Sequence, residues 1–194
     1  MDYKNFLLRC LFSVIILSIY FIISYINFSL VFYLILLIYF IILLEIYLFF
    51  KKYKFIPIIY ITLSLICFFN IDFKELNIYD FNLLIIIIIT FDIFSYFFGK
   101  AIGKTKLINI SPKKTIEGLV GGIIASSSFA IIFSYYFEIL INIELFIYIV
   151  LVIFSSLSGD LIESFFKRKN DLKNSSNIIP GHGGVFDRFD SFLF

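Results

Sequence analysis

From Leu11 to Phe50 the chain is an almost unbroken apolar run. As one helix at about 1.5 Å per residue it would be about twice as long as a bilayer core is thick, so it must turn once. Asn27, with Ser24 and Ser29 beside it, marks the turn and divides the run into a span from Leu11 to Ile26 and another from Phe28 to Phe50. A basic loop with Lys51, Lys52 and Lys54 leads to a short third apolar segment, Phe55 to Phe69, and then to a polar stretch with Asp72, Lys74, Glu75 and Asp80. Three more apolar runs follow, at Phe81 to Phe98, Leu119 to Phe137 and Leu145 to Ser158. The pattern predicts an all-α integral membrane protein with about six transmembrane helices.

The placement of basic residues tests this division independently, because cytoplasmic loops retain Lys and Arg. With the N-terminus inside, only Lys74 of the 16 Lys and Arg residues falls on the outer side. Both termini and the polar segments are therefore expected on the cytoplasmic face of the inner membrane. Composition agrees: 61% hydrophobic residues, 15% charged and a mean hydropathy of +1.04 lie outside the range of soluble domains. A net charge of +2, distributed as topology requires, gives no footing for a nucleic-acid partner. Cys10 and Cys67 have no metal-ligand spacing and read as buried hydrophobes. Lys4 and Arg9 precede an apolar run, as in a secretory signal, but no small-residue cleavage site follows, so the segment is expected to stay as an anchor. No internal repeat supports an inverted-repeat transporter.

Three polar clusters converge on the predicted cytoplasmic face: Asp92 to Lys106, Ser111 to Gly122, and everything from Gly159 onward. In the last, Asp160, Glu163, Ser164 and Lys167 stand at i, i+3, i+4 and i+7 of a helix continuing the sixth span, and share one face. That face is either a polar site or the solvated side of an interfacial helix. Pro180, Gly181, His182, Gly183 and Gly184 form a turn able to approach a phosphate through backbone N–H groups. Asp187 and Asp190 follow at i and i+3 with Arg188 between them; together with Asp160 they are candidates for a hard-cation site of the Mg²⁺ or Mn²⁺ type. His182 is expected to shape the loop or touch phosphate rather than act as a base. In SPKKTIEGLVGG, Ser111 is the expected N-cap, with Pro112 at the first helical position. Lys113 and Lys114 would then either mark an anion site near the helix start or simply anchor the topology. Gly118, Gly121 and Gly122 permit close helix approach. Among acids inside apolar runs, Asp92 is expected at the site's mouth, whereas Glu45 is read as snorkelling toward the Lys51 side.

Taken together, these residues resemble the phosphatidate cytidylyltransferases, or CDP-diacylglycerol synthases. The likeness is carried by Ser164, Lys167, Arg168 and Lys173, then His182, Gly183, Gly184, Asp187, Arg188 and Asp190. Asp92 with Gly99 and Lys100, and the SPKKT and EG elements, extend it upstream. Asn174 stands where the family usually has Asp, and the chain stops at Phe194 where members commonly continue, so it resembles a minimal or incomplete version. The resemblance divides the chain into an N-terminal anchor region of three spans, 1–80, and a catalytic membrane domain, 81–194.

The resemblance implies transfer of the cytidylyl group of CTP to phosphatidic acid, giving CDP-diacylglycerol and pyrophosphate in phospholipid synthesis. Its catalytic residues would be Asp160, Lys167, Asp187 and Asp190, with metal on Asp160, Asp187 and Asp190. Substrate phosphates would meet Lys113, Lys114, Ser164, Arg168, His182 and Arg188. A monovalent cation beside the divalent one and a homodimer are both compatible with this expectation. The alternatives are a CTP-dependent polyprenol or phytol kinase, and a non-catalytic lipid-binding protein.

Overall fold

The computed structural model describes residues 3–73, 76–108, 111–176, 178 and 183–193. Every apolar run forms a helix: α1 (Tyr3–Ile26), α2 (Leu30–Phe49), α3 (Phe55–Phe69), α4 (Ile78–Ile102), α5 (Ile116–Tyr136) and α6 (Ile143–Lys169). A short hairpin, β1 (Lys106–Ile108) and β2 (Ser111–Thr115), lies between α4 and α5, and a four-residue helix α7 (Phe186–Phe189) runs into a 3₁₀ turn, Asp190–Phe192. Helices α2, α4, α5 and α6 are long and apolar enough to cross a membrane, whereas α3 and the Val14–Ile26 part of α1 are shorter apolar helices. Several ends extend beyond the apolar runs because polar flanks such as Tyr3–Arg9 and Asp160–Lys169 continue the helical hydrogen bonding. Lys74, the one basic residue assigned to the outer side, lies outside the described residues.

The chain forms two compact units, one comprising the chain up to Ile78 together with Phe166–Leu193, the other Tyr79–Phe165. In the first unit the α1–α2 turn is closed by Asn27, whose side-chain oxygen accepts from the Ser29 N–H at 2.9 Å. Phe32 of α2 stacks on Phe68 of α3 with ring centroids 5.2 Å apart, and Phe73 meets both rings edge-on. Ser64 donates its hydroxyl hydrogen to the Leu193 carbonyl, so Tyr39 is the donor in its own 2.6 Å bond to Ser64. A chain of two hydrogen bonds thereby ties α2, α3 and the 3₁₀ turn's end. Cys67 is exposed rather than buried, because it lies on the outward side of α3 among Leu63, Ile66 and Phe69.

The second unit rests on a seam of small residues. Gly118, Gly122, Ser126, Ala130 and Ser134 recur every fourth position of α5 and are all buried. A methyl group added at Gly118 would lie 2.5 Å from the Ser95 carbonyl oxygen and 3.0 Å from the Gly99 Cα of α4. One added at Gly122 would meet Ser95 and Phe91. The missing side chains let two helix backbones approach, which in a membrane takes the place of a hydrophobic driving force. The segment Ser111–Thr115 is a strand and not the first turn of a helix: Thr115 is the N-cap, accepting from the Gly118 N–H at 3.1 Å. The expected Ser111 cap is therefore displaced by four residues. Antiparallel pairing of Lys106 with Thr115 and Ile108 with Ser111 outcompetes it.

Candidate active site

Each unit contributes one cluster of the predicted polar residues. In the second unit α6 places Asp160 half-buried, and its carboxylate forms an ion pair with Lys114 of β2. Two residues far apart in sequence, each singled out for charge, thus meet. Glu163 lies one turn on and is buried; Ser164 beside it is half-buried. At the base of the hairpin Glu117 accepts the Thr105 N–H at 3.1 and 3.2 Å and the Thr105 hydroxyl as well, which fixes the hairpin against the start of α5. Lys113 lies on β2, and its side chain is outside the described part. Asp92 is half-buried on α4.

In the first unit the last turn of α6 closes by a left-handed residue, Asp171, with φ of +57°. The Asp171 N–H returns to Arg168 O at 3.1 Å and the Leu172 N–H to Lys167 O at 2.9 Å, satisfying carbonyls that the helix end would otherwise orphan. The chain is thereby reversed. Arg168, exposed, donates to the Leu172 carbonyl at 3.3 Å. Asn170 accepts the N–H groups of Lys52 and Tyr53, both at 3.1 Å, which pins the α2–α3 loop to this helix end.

The reversal carries Ser175 to Asp187. Asp187 Oδ1 accepts from Lys167 Nζ at 2.7 Å, and Oδ2 accepts from the Ser175 N–H, the Ser175 hydroxyl and the Gly184 N–H, each at 2.9 Å. Both partners of the ion pair are largely shielded, with side-chain exposures of 13% for Lys167 and 9% for Asp187. Gly183 takes φ of +95°, a conformation that favours glycine, and a Cβ there would sit 2.5 Å from Asp187 Oδ2. Arg188 is exposed; Asp190, half-buried, accepts the Ser191 N–H at 3.0 Å. Pro180, Gly181 and His182 lie outside the described residues.

Glu45 of α2 is the residue that sequence reasoning misread. Instead of reaching toward Lys51, it is fully buried, and its Oε2 accepts the N–H groups of Val185 at 2.8 Å and Phe186 at 3.1 Å. Its other oxygen has no hydrogen-bond partner among the described residues. The Gly184 amide, which the glycine turn offered to a phosphate, is thus taken by Asp187, and the next two amides, of Val185 and Phe186, are taken by Glu45. Ser175 was also missed as a member of this cluster, since nothing local marks it. The available signal for Glu45 was its position as a lone acid in an apolar helix, which ordinarily means an interior partner.

The model of the cytidylyltransferase family matches residues 4–194, nearly the whole chain. The chain belongs to the cytidylyltransferase family. Among curated family relatives, the phosphatidate cytidylyltransferase of Bacillus subtilis (strain 168) is 40% identical over 154 residues, which cover 75% of this chain and 56% of that protein. The phosphatidate cytidylyltransferase of Staphylococcus haemolyticus is 50% identical over 103 residues, 52% of this chain and 39% of that protein. That of Staphylococcus saprophyticus is 48% identical over 103 residues. The aligned parts thus cover about half or less of the length of these cytidylyltransferases.

Proposed function

We propose that this chain catalyses the reaction named for its relatives, joining the cytidylyl group of CTP to phosphatidic acid and releasing pyrophosphate. The observation that carries the reading is the family match, which spans Asp160, Lys167, Asp187, Asp190 and the other candidate residues in a single run from residue 4 to 194. A phosphatidate oxygen would attack the α-phosphorus of CTP, forming one P–O bond as the bond to the β-phosphate oxygen breaks. The attacking oxygen is already deprotonated at neutral pH, so His182 need not serve as a base. Positioning and charge compensation carry most of such a transfer.

Asp160 and Glu163 on α6, and Asp190 at the start of the 3₁₀ turn, are carboxylates, the hard-oxygen donors that Mg²⁺ or Mn²⁺ takes. When bound there, the ion would neutralise charge developing on the transferred phosphate. Asp187 is a further candidate ligand, but its oxygens already accept four protein donors, so it could reach a metal only if Lys167 left Oδ1. Lys113, Lys114, Arg168, Arg188 and, once released, Lys167 would hold the triphosphate and lipid phosphate, with Ser164 and His182 beside them. The basic-residue count supports a site on the cytoplasmic face of the inner membrane.

Purified protein in phosphatidate-containing micelles should release pyrophosphate from CTP and yield CDP-diacylglycerol, with activity abolished by chelation and restored by Mg²⁺. Release of CDP in place of pyrophosphate would identify γ-phosphate transfer, the mark of a CTP-dependent lipid kinase. Lys167→Ala should weaken CTP use at least tenfold and Lys169→Ala little, because Lys167 holds Asp187 whereas Lys169 is exposed over the Tyr53 ring. Equal effects would remove Lys167 from the proposed site. Sidedness is tested by cysteine labelling at exposed Asn174 and Asn77, which should react from opposite sides of the membrane.

A further inference from the structure

We infer that Glu45 is a positioning residue for the Asp187–Asp190 segment, holding its backbone from a helix about 140 residues away. This rests on the proposed function, because it assigns Glu45 a part in placing residues of that site. The geometry is specific. One carboxylate oxygen accepts two successive amides, Val185 at 2.8 Å and Phe186 at 3.1 Å, immediately before Asp187. The other oxygen packs where a side chain on residue 184 would have to go, together with the Ser175 hydroxyl. Ser175 in turn donates twice to Asp187. Glu45 and Asp187 therefore grip the same three-residue stretch, 184–186, from two directions. Asp187 holds it from within the segment; Glu45 anchors it to α2.

Among the described residues, this fully buried acid is hydrogen-bonded by two backbone amides, and charge-assisted bonds to those amides offset the cost of burying it. Without it, the half-buried Val185 N–H and the buried Phe186 N–H would lose their acceptor, and the segment would lose its tether to α2. Phe186, itself fully buried, packs against Phe50 at 6.4 Å between ring centroids, so the segment would stay near α2 but lose its rotational setting. A shift of about 1 Å in Asp187, Arg188 and Asp190 is enough to lower turnover by about 100-fold in a site that acts by positioning.

The test compares Glu45→Gln, Glu45→Asp and Glu45→Ala in the full chain. Gln keeps a carbonyl acceptor at the same reach without the charge; Asp keeps the charge but withdraws the acceptor by one methylene. Turnover should be within about threefold of the native protein for Glu45→Gln and lower by about 10- to 100-fold for Glu45→Asp and Glu45→Ala, with KM for CTP little changed. The order Gln above Asp identifies the hydrogen bonds as the contribution; the reverse order, or native turnover in folded Glu45→Ala, overturns the assignment. Hydrogen exchange supplies a readout independent of activity: peptides covering 184–193 should exchange faster in Glu45→Asp, while those of α4 and α5 stay unchanged. Unchanged exchange at 184–193 also overturns it. Should the native protein release no pyrophosphate from CTP, the proposed reaction falls, and the exchange experiment still decides whether Glu45 anchors the segment.

Discussion

Gly184 in the C-terminal turn and Gly118 at the head of α5 are both positions where a methyl group would collide, but the atoms it would strike differ. At Gly118 they are the Ser95 carbonyl and the Gly99 Cα, backbone of a neighbouring helix whose hydrogen bonds are already made internally. At Gly184 they are the carboxylate of Glu45 and the hydroxyl of Ser175. The first glycine serves shape alone. The second makes room for acceptors that irregular backbone needs, since residues 183–185 lie outside any helix and cannot satisfy their own amides. Where an apolar protein leaves helical geometry, it must bring polar groups with it; where two helices touch, it need only remove side chains.

Gly184→Ala should do the greatest damage, about 3 kcal/mol or more, because neither Glu45 nor Ser175 can withdraw without stranding donors or acceptors. Thermal unfolding in detergent measures it, and combining it with Glu45→Ala should cost less than the sum, as expected of two residues sharing one volume. Strict additivity would break the distinction between the two glycines. Asp187→Asn comes next, at about 2–3 kcal/mol in stability with a large loss of turnover, since it removes the negative charge from a largely shielded ion pair with Lys167. Gly118→Ala should cost about 1–2 kcal/mol by forcing α4 and α5 apart. No second substitution of a carboxylate should rescue it, whereas Ser95→Gly should not restore it either, because the collision is with backbone.

The smallest effect belongs to Asp171→Asn. Lys52 and Asp171 are 63% and 72% exposed, so solvent screens the pair and the unfolding temperature should not move measurably. The hydrogen bond and charge of Asp171 raise the Lys52 ammonium above the ordinary value of 10.5. Any stabilisation from the pair is thus complete below that value and lost as pH climbs through the raised one. Retention of turnover in Asp171→Asn alongside its loss in Asp187→Asn would separate the buried carboxylate from the exposed one.

The helices were legible because a period of apolar residues is written locally, and α3 has the bounds its composition marks, Phe55–Phe69. The hairpin was not, because SPKKT has the look of a helix start and its pairing with Lys106–Ile108 depends on partners several residues back. Within the candidate site, Asp160, Lys167, Asp187 and Asp190 announce themselves as polar residues at short spacings. The meeting of Lys114 with Asp160 could be expected only in outline, from their shared predicted side of the membrane. Glu45 and Ser175 escaped because their partners are backbone amides and a carboxylate far along the chain. No side-chain pattern encodes a contact whose other half is an amide.

The separation of 140 residues between Glu45 and Val185 also bears on how the protein is made. Ribosomes deliver α2 early, and its acid then spends the synthesis of α3 to α6 without the amides that will receive it. An unaccompanied carboxylate in an apolar helix is costly to seat and is drawn to the bilayer surface. The contact forms only once residues 184–186 have emerged, so this later segment latches onto a helix made well before it.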